Sequence, residues 1–468
     1  MGGWTGSAEA SGALRLDEYL RQVLQANHSL QAGIKSVEAA YYAVRSGVAG
    51  QRPQAAVSAS GSWLSGQSSM GGKESNVTAG SLTLGLTQRI DISGSYSLDE
   101  RQRILGYEEQ RAQFDANLNT LIATAEETWW SAVLARENVA LQKDILRQRS
   151  ENLRVTTEKF RQQLVPKLDV VRAEAQVVEA ESLVKESETA YLNLLANLSY
   201  IAGGMEVVPM EETLHVPVFD VAPDIQKALE ARPDVRAARL AVERARVVEK
   251  LKGKGMAPTL DFGAQWTAWA DPKLSATPQD GEAMASLRLN FPIVDGNRTK
   301  YDVLNANRTV EAAEHSLASL EEQTRRDLAV AMNAWKNASV AEMDKKRQVE
   351  RAEEELRITE LMYSEGMGAQ IDLINAQTAY QGVRTQYLNS VKEMYVALVQ
   401  LRRAIGDYSP DESGVRPWSA TARGAPSAGR SPGRRCGISG TKGPRRPTAS
   451  WRRSTRMRRR KNQRRKNE

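Results

Sequence analysis

Apolar and polar positions alternate with a period of two in four short stretches of this chain, and longer stretches carry apolar residues at helical spacing. Val57, Ala59, Gly61 and Trp63 alternate with Ser58, Ser60 and Ser62, and Leu82, Leu84 and Leu86 alternate with Thr83, Gly85 and Thr87. That is the pattern of strands wetted on one face. The Gly- and Ser-rich run 65–80 between them reads as an exposed hairpin loop. The plan returns at Leu260, Phe262, Ala264 and Trp266, followed by a Pro/Asp/Gly loop over 271–281 and by Leu287, Leu289 and Phe291. Residues 16–50 are helical in pattern, and 98–163 contain no proline, which predicts a helix of roughly 100 Å. In a second long helix Val303, Val310, Leu317, Thr324, Ala331 and Ala338 recur every seven residues beside Ala306, Ala313, Leu320, Asp327, Ala334 and Ala341. Such a stripe predicts coiled-coil packing at close range, with Thr324 and Asp327 weakening it midway.

These elements form two copies of one plan. Phe160, Leu168-Asp169 and Ala173 lie 203 positions before Tyr363, Ile371-Asp372 and Ala376. At nearly the same offset Leu24 matches Leu229, Pro53 matches Pro258, Gly94 matches Gly296, Trp130 matches Trp335, Tyr191 matches Tyr395 and Ile201 matches Ile405. Repeated sequence implies repeated structure, here helix, strand, strand, long helix, tip turn, helix. The boundaries read as a first repeat over 14–205 (hairpin 54–94, tip near 161–169), a linker over 206–220, and a second repeat over 221–407 (hairpin 258–296, tip near 364–372). Leu164, Pro166 and Gly366 are the expected tip-turn residues. The fold class is mainly α with a small β part. Four strands cannot close a barrel, so their edges are expected to meet other copies of the chain.

Charge and composition remove other classes. The net charge is +7, but residues 419–468 hold seventeen Lys or Arg and one acid. The remaining 47 bases face 56 acids, so the body carries about −9 and a nucleic-acid partner is not expected. The single cysteine, Cys436, lies in that basic end, so the body has no thiol for metal, bridge or catalysis. His28, His215 and His315 are scattered without ligand spacing, and Gly71-Gly72-Lys73-Glu74 lacks the spacing of a phosphate loop. No cofactor and no enzyme activity are expected. No run of eighteen apolar residues exists, which leaves a β-barrel as the route into a membrane. Residues 1–13 read as an unstructured start without a visible signal peptide, the true start being expected upstream. Residues 408–468 read as a disordered basic tail; one reading is a nucleic-acid or anionic-surface arm, and the preferred one, from Ser419 onward, is an out-of-frame or non-native extension.

Repeat period, element order and tip residues together resemble the TolC-like outer-membrane efflux protein family, over residues 14–407. The resemblance implies a homotrimer in which three chains supply a 12-strand outer-membrane β-barrel set in lipid, continued by an α-helical periplasmic tunnel. It implies a passive duct of a tripartite efflux or type I secretion system, exporting small molecules or polypeptides. A periplasmic adaptor and an inner-membrane pump of RND or ABC type are the implied partners. It also implies roles at the tips. Asp372 falls on the position of a carboxylate ring at the gate constriction, and Asn375 falls where a second aspartate stands in the family. Asp169 and Tyr363 match the carboxylate and tyrosine of a latch between tips, and Gly368 replaces its arginine.

Other readings stand beside these. Asp372 and Asp169 also fit helix-start caps, and Tyr363 and Phe160 fit tip-packing aromatics. Trp129, Trp130 and Trp335 are expected between helices, whereas Trp63, Trp266 and Trp269 suit a membrane-interface girdle or buried packing. The rival to a channel is a non-channel structural coiled-coil envelope protein, which the hairpins discriminate.

Overall fold

A computed structural model describes residues 13–67, 74–210, 225–270 and 280–406. The loop tips 68–73 and 271–279, most of the linker, His215, the first twelve residues and the basic tail lie outside the described residues, as do the side chains of Trp63 and Trp269.

Strand β1 (Ala13–Leu14) leads into α1 (Leu16–Ala26) and α2 (His28–Ala49). Strands β2 (Gln54–Gln67) and β3 (Glu74–Ile90) follow, then α3 (Ser95–Arg161) and α4 (Lys167–Ile201). After β4 (Val208–Pro209) the second copy runs α5 (Ile225–Ala231), α6 (Pro233–Lys252), β5 (Thr259–Ala270), β6 (Asp280–Asn290), α7 (Arg298–Ser364) and α8 (Gln370–Ile405). Both long helices have 67 residues, about 100 Å at 1.5 Å per residue.

One expectation needs correction: the helical stretch 16–50 is two helices. Asn27 is extended between them, accepts the Leu30 N–H at 2.9 Å and donates through Nδ2 to the Ile201 carbonyl at 2.9 Å. This break ties the first helices of the repeat to the end of α4. Nearby, Tyr19 stacks on Trp129 with centroids 5.1 Å apart, in a core completed by Val23, Val133, Leu198 and Val207. Thr324 likewise departs from expectation. It is buried, and its hydroxyl donates to the Leu320 carbonyl at 2.8 Å, so the polar group is satisfied within its own helix and the stripe is unbroken there.

The four longer strands form one antiparallel sheet in the order β2-β3-β5-β6. Opposite residues of an antiparallel ladder share a face. Val57 pairs with Leu84, Leu84 with Trp266, and Phe262 with Leu287, so one face is apolar. Val57, Leu82, Leu84, Leu86, Trp266, Leu287 and Leu289 are exposed on it. The opposite face is polar: Ser60 and Ser81 hydroxyls meet at 2.8 Å, Thr83 and Thr267 at 3.2 Å, and Arg89 pairs with Asp261 at 2.8 Å. Among the described residues β2 and β6 are paired on one side only, which leaves two long open edges.

Each hairpin is fastened to its long helix by one aspartate. Asp91 accepts the backbone N–H groups of Ser93, Ser95 and Tyr96 at 3.1, 3.1 and 2.8 Å, and Asp295 accepts those of Asn297 and Thr299 at 3.0 and 2.8 Å. The helix N-cap residues themselves, Gly94 and Asn297, make no side-chain cap. Partial burial raises the Asp91 carboxyl, but hydrogen bonds from the Tyr96 N–H and from Ser93 and Ser95 outweigh it, so its pKa lies below the ordinary range.

Candidate functional site

At the end of the rod away from the sheet, α3 turns into α4 and α7 turns into α8. The first turn takes Gln163 through φ 60°, leaves Leu164 exposed and restarts the helix at Pro166, which has no N–H to leave unpaired. The second takes Gly366 through φ 75°. Gly368 serves by closeness instead: its N–H donates to the Met362 carbonyl at 3.0 Å, and a Cβ there would lie 3.2 Å from the Tyr363 nitrogen. Any larger residue must loosen this turn.

Tyr363 organises the contact between tips. Only 8% exposed, it packs with Leu356, Leu373 and Ala376. Its hydroxyl is 3.3 Å from the Thr156 hydroxyl of α3. Lys159, one turn further along α3, donates to the Tyr363 carbonyl at 3.2 Å, and its ammonium lies 4.0 Å from the ring centroid. Gln370, buried at the start of α8, donates to the Asp169 carbonyl at 3.1 Å and to Thr156 at 3.5 Å. The two tips are therefore joined by Lys159, Thr156, Tyr363 and Gln370.

The expected latch residues divide between these contacts. Tyr363 is at the junction but meets Thr156 rather than the Asp169 carboxylate, which faces Arg172 at 3.7 Å. Asp169 joins the junction only through its main-chain carbonyl. Asp372 and Asn375 lie one turn apart on the exposed side of α8, opposite buried Leu373, Ile374 and Ala376. Neither Asp169 nor Asp372 is a helix cap. The N-cap positions are Pro166 and Ala369, without side-chain bonds, and both aspartates sit in the first turn, where the helix dipole favours a carboxylate.

Behind the tips, a buried polar ladder links the two repeats. Arg149, 3% exposed, donates to Glu179 at 3.1 Å and Gln381 at 2.8 Å, and Gln381 donates to Gln142 at 3.1 Å. Further along, Trp130 stacks on Tyr395 at 3.9 Å, Gln400 donates to Glu127 and Arg402 pairs with Glu126 at 3.3 Å. Burial raises the Glu127 carboxyl, offset in part by the bond from Gln400 and the charge of Arg403. Sequence reading missed this ladder and the roles of Lys159 and Gln370, because every partner except Glu179 lies 200 or more residues away. The two aspartate anchors were detectable: Asp91 and Asp295 stand at the repeat offset, each just before a glycine and a long helix.

A tandem repeat with a two-faced, open-edged sheet on a pair of 100 Å coiled coils defines a class of protein that lines a conduit by assembly. The chain belongs to the outer membrane efflux protein family, whose sequence profile matches residues 19–204 and 225–407. It is similar to Nodulation protein T of Rhizobium leguminosarum bv. viciae, 23% identical over 428 residues, covering 87% of this chain and 85% of that protein. Outer membrane protein TolC of Escherichia coli K12 is 25% identical over 428 residues, covering 86% and 84%. The fold is shared with the Campylobacter jejuni CmeC outer membrane channel, with a TM-score of 0.76, 16% identity and coverage of 86% and 90%. It is shared too with the Neisseria gonorrhoeae MtrE outer membrane channel, with a TM-score of 0.72, 19% identity and coverage of 86% and 93%. The protein is an outer-membrane efflux channel component.

Proposed function

We propose that three copies close into a passive duct, with the sheets forming a 12-strand barrel and the helices a tunnel reaching into the periplasm. The observation that carries this reading is the sheet: two faces of opposite polarity and two unpaired edges, β2 and β6. In lipid each unsatisfied backbone group costs several kcal/mol, so an edge stands only if the ring is closed. The apolar face then meets lipid and the Ser, Thr and Arg–Asp face lines water.

The duct is gated at its tips. On threefold closure the exposed Asp372 carboxylates surround the axis and repel one another unless a cation or water stands among them. With Asn375 one turn along, the ring carries three carboxylates instead of six, and it binds cations less strongly than a double ring. Lys159, Thr156, Tyr363 and Gln370 hold the closed arrangement in place of an Asp169–Tyr363–arginine latch. Exposed Leu164, Leu168, Leu361 and Met367 give the tip an apolar surface for a periplasmic adaptor, which couples the duct to an inner-membrane pump of RND or ABC type. The cargo class is small molecules or polypeptides, moved by the pump rather than by the duct.

A photo-crosslinking side chain at Leu168 or Met367 in intact cells tests this reading. Capture of a periplasmic adaptor by the membrane-embedded trimer is the expected result. A chain that fractionates with the aqueous periplasm, with no adaptor captured from either position, overturns it in favour of a structural coiled-coil protein.

A further inference from the structure

The sheet ends at two feet, one per repeat, where each hairpin meets its helices. They are built alike and charged differently. At the second foot the α6 terminus and the turn after it expose Lys250, Lys252 and Lys254, and the start of α7 exposes Arg298 and Lys300. The two segments touch: a Cβ on Gly255 would lie 2.6 Å from the Thr299 hydroxyl, which places the turn lysines beside Arg298 and Lys300. The nearby acids keep their negative charge but already have partners, one of them Arg298 of the cluster itself. Asp295 anchors α7 through Asn297 and Thr299, Glu249 accepts from Asn307 at 3.3 Å, and Asp302 faces Arg298 at 3.9 Å. Among the described residues none of the four lysines forms an ion pair, the pair at this foot being Arg298 with Asp302.

Next to this cluster the apolar parity of β6 runs on past the end of the strand. Phe291, 62% exposed, and Ile293, 80% exposed, continue that row, and Val294 and Tyr301 are exposed beside it. Large apolar side chains continuing the lipid-facing row, with lysines at their edge, match the boundary between acyl chains and headgroups. At the first foot the equivalent positions, aligned on Pro53 and Pro258, are Arg45, Gly47 and Ala49. Arg45 is taken by the Tyr41 hydroxyl at 2.9 Å, and Gly47 lies under Arg103, which pairs with Asp99 at 2.8 Å. The first foot keeps the charges of Arg45 and the exposed Arg52, but it has no basic residue at the places of Lys252 and Lys254, so the repeat scaffold does not require the full cluster.

We propose that the second-repeat foot is a binding surface for anionic phospholipid in the periplasm-facing leaflet, with Lys250, Lys252, Lys254 and Lys300 meeting the headgroup phosphates and Phe291, Ile293 and Val294 entering the acyl boundary. The proposal rests on the hairpins spanning a membrane. Basic residues near an anionic lipid surface each contribute severalfold to binding, so the four lysines together set a preference of tenfold or more on an order-of-magnitude scale.

The test uses the intact trimer in detergent, titrated with lipid micelles of phosphatidylglycerol or phosphatidylethanolamine, with retained lipid counted by native mass spectrometry. Three variants are compared: parent, Lys250→Gln/Lys252→Gln/Lys254→Gln/Lys300→Gln, and a charge-matched control on the rod, Lys185→Gln/Lys227→Gln/Lys336→Gln/Lys346→Gln. The expected result is a roughly tenfold preference of the parent for phosphatidylglycerol, kept by the control, lost in the foot variant and weakened by salt. Equal retention in parent and foot variant, or equal loss in both variants, overturns the proposal. Trimer mass and bilayer conductance are read on the same samples; if they are normal in every variant, loss of lipid preference speaks only to the foot, whereas failure to form trimers or conduct in the parent speaks to the duct itself.

Discussion

Lys159→Met isolates one charge at the junction of the tips. Met keeps the length and apolar stem of the side chain but removes the ammonium 4.0 Å from the Tyr363 ring centroid and 3.2 Å from its carbonyl oxygen. A hydrogen bond from a charged donor contributes about 1.5–3 kcal/mol and a cation–π contact about 0.5–2 kcal/mol. Lys159 is half-buried, which places both near their lower ends, for a total of about 2 kcal/mol per protomer. At 1.4 kcal/mol per tenfold, independent opening of one tip becomes about 30 times more frequent, and concerted opening of three rises by far more. Single-channel recording of the purified trimer in a planar bilayer at neutral pH reads this directly. Open occupancy should rise at least tenfold in Lys159→Met. Tyr363→Phe, which loses only the hydroxyl contact with Thr156, should raise it about fivefold, from about 1 kcal/mol. The double variant should fall short of the product, since both changes act on one side chain. An intact Lys159→Met trimer with the parent's open occupancy would refute the assignment of the latch to Lys159.

Other regions give separate outcomes. Asp91→Asn should destabilise the hairpin–helix joint by about 1 kcal/mol at neutral pH. The native Asp91 pKa is depressed, so its stabilisation is complete above about pH 5 and fades as pH falls through the folded value; the melting gap between parent and variant should narrow towards pH 3, and a constant gap contradicts the anchor. Leu84→Arg on the apolar face should cost about 2–4 kcal/mol and reduce assembled trimer on heat-modifiability gels, whereas Thr83→Arg on the polar face should assemble and alter conductance; equal effects would contradict the two-faced sheet. Trp129→Ala empties a fully buried site against Tyr19 and should cost about 3–5 kcal/mol, read as a fall in melting temperature, with an unchanged melt contradicting the assignment of this core.

Much of the architecture is written locally and so is readable in the chain. A period of two across 82–87 and a proline-free run after Leu98 need no partner to be recognised, and the matched tips 203 residues apart set element order. The break at Asn27 is less visible because its cause is the Ile201 carbonyl, 174 residues away. The tip junction is harder still. A tyrosine near a turn shows that something is held there, but that Thr156 and Lys159 hold it follows from how α3 lies against α7 and α8. Asp169 shows the limit of carrying a role across by position: it occupies the matching place, and its carbonyl makes the contact. The charge difference between the two feet was present in the sequence, but only the contact between Gly255 and Thr299 gathers those lysines into one surface.

Threefold closure through the β2 and β6 edges is best tested by disulfide trapping. With Cys436 replaced by Ser, Ser58→Cys in β2 is combined with Ser286→Cys in β6, and with Met284→Cys or Arg288→Cys in its place to cover the register. Within one chain these strands are separated by β3 and β5, a span of about 14 Å that no disulfide bridges, so every bond must join two chains. Non-reducing gels of oxidised membranes should show a covalent species at three times the 51.7 kDa chain and nothing larger. Monomer alone in every register, or a ladder that continues beyond three, would contradict the closed ring.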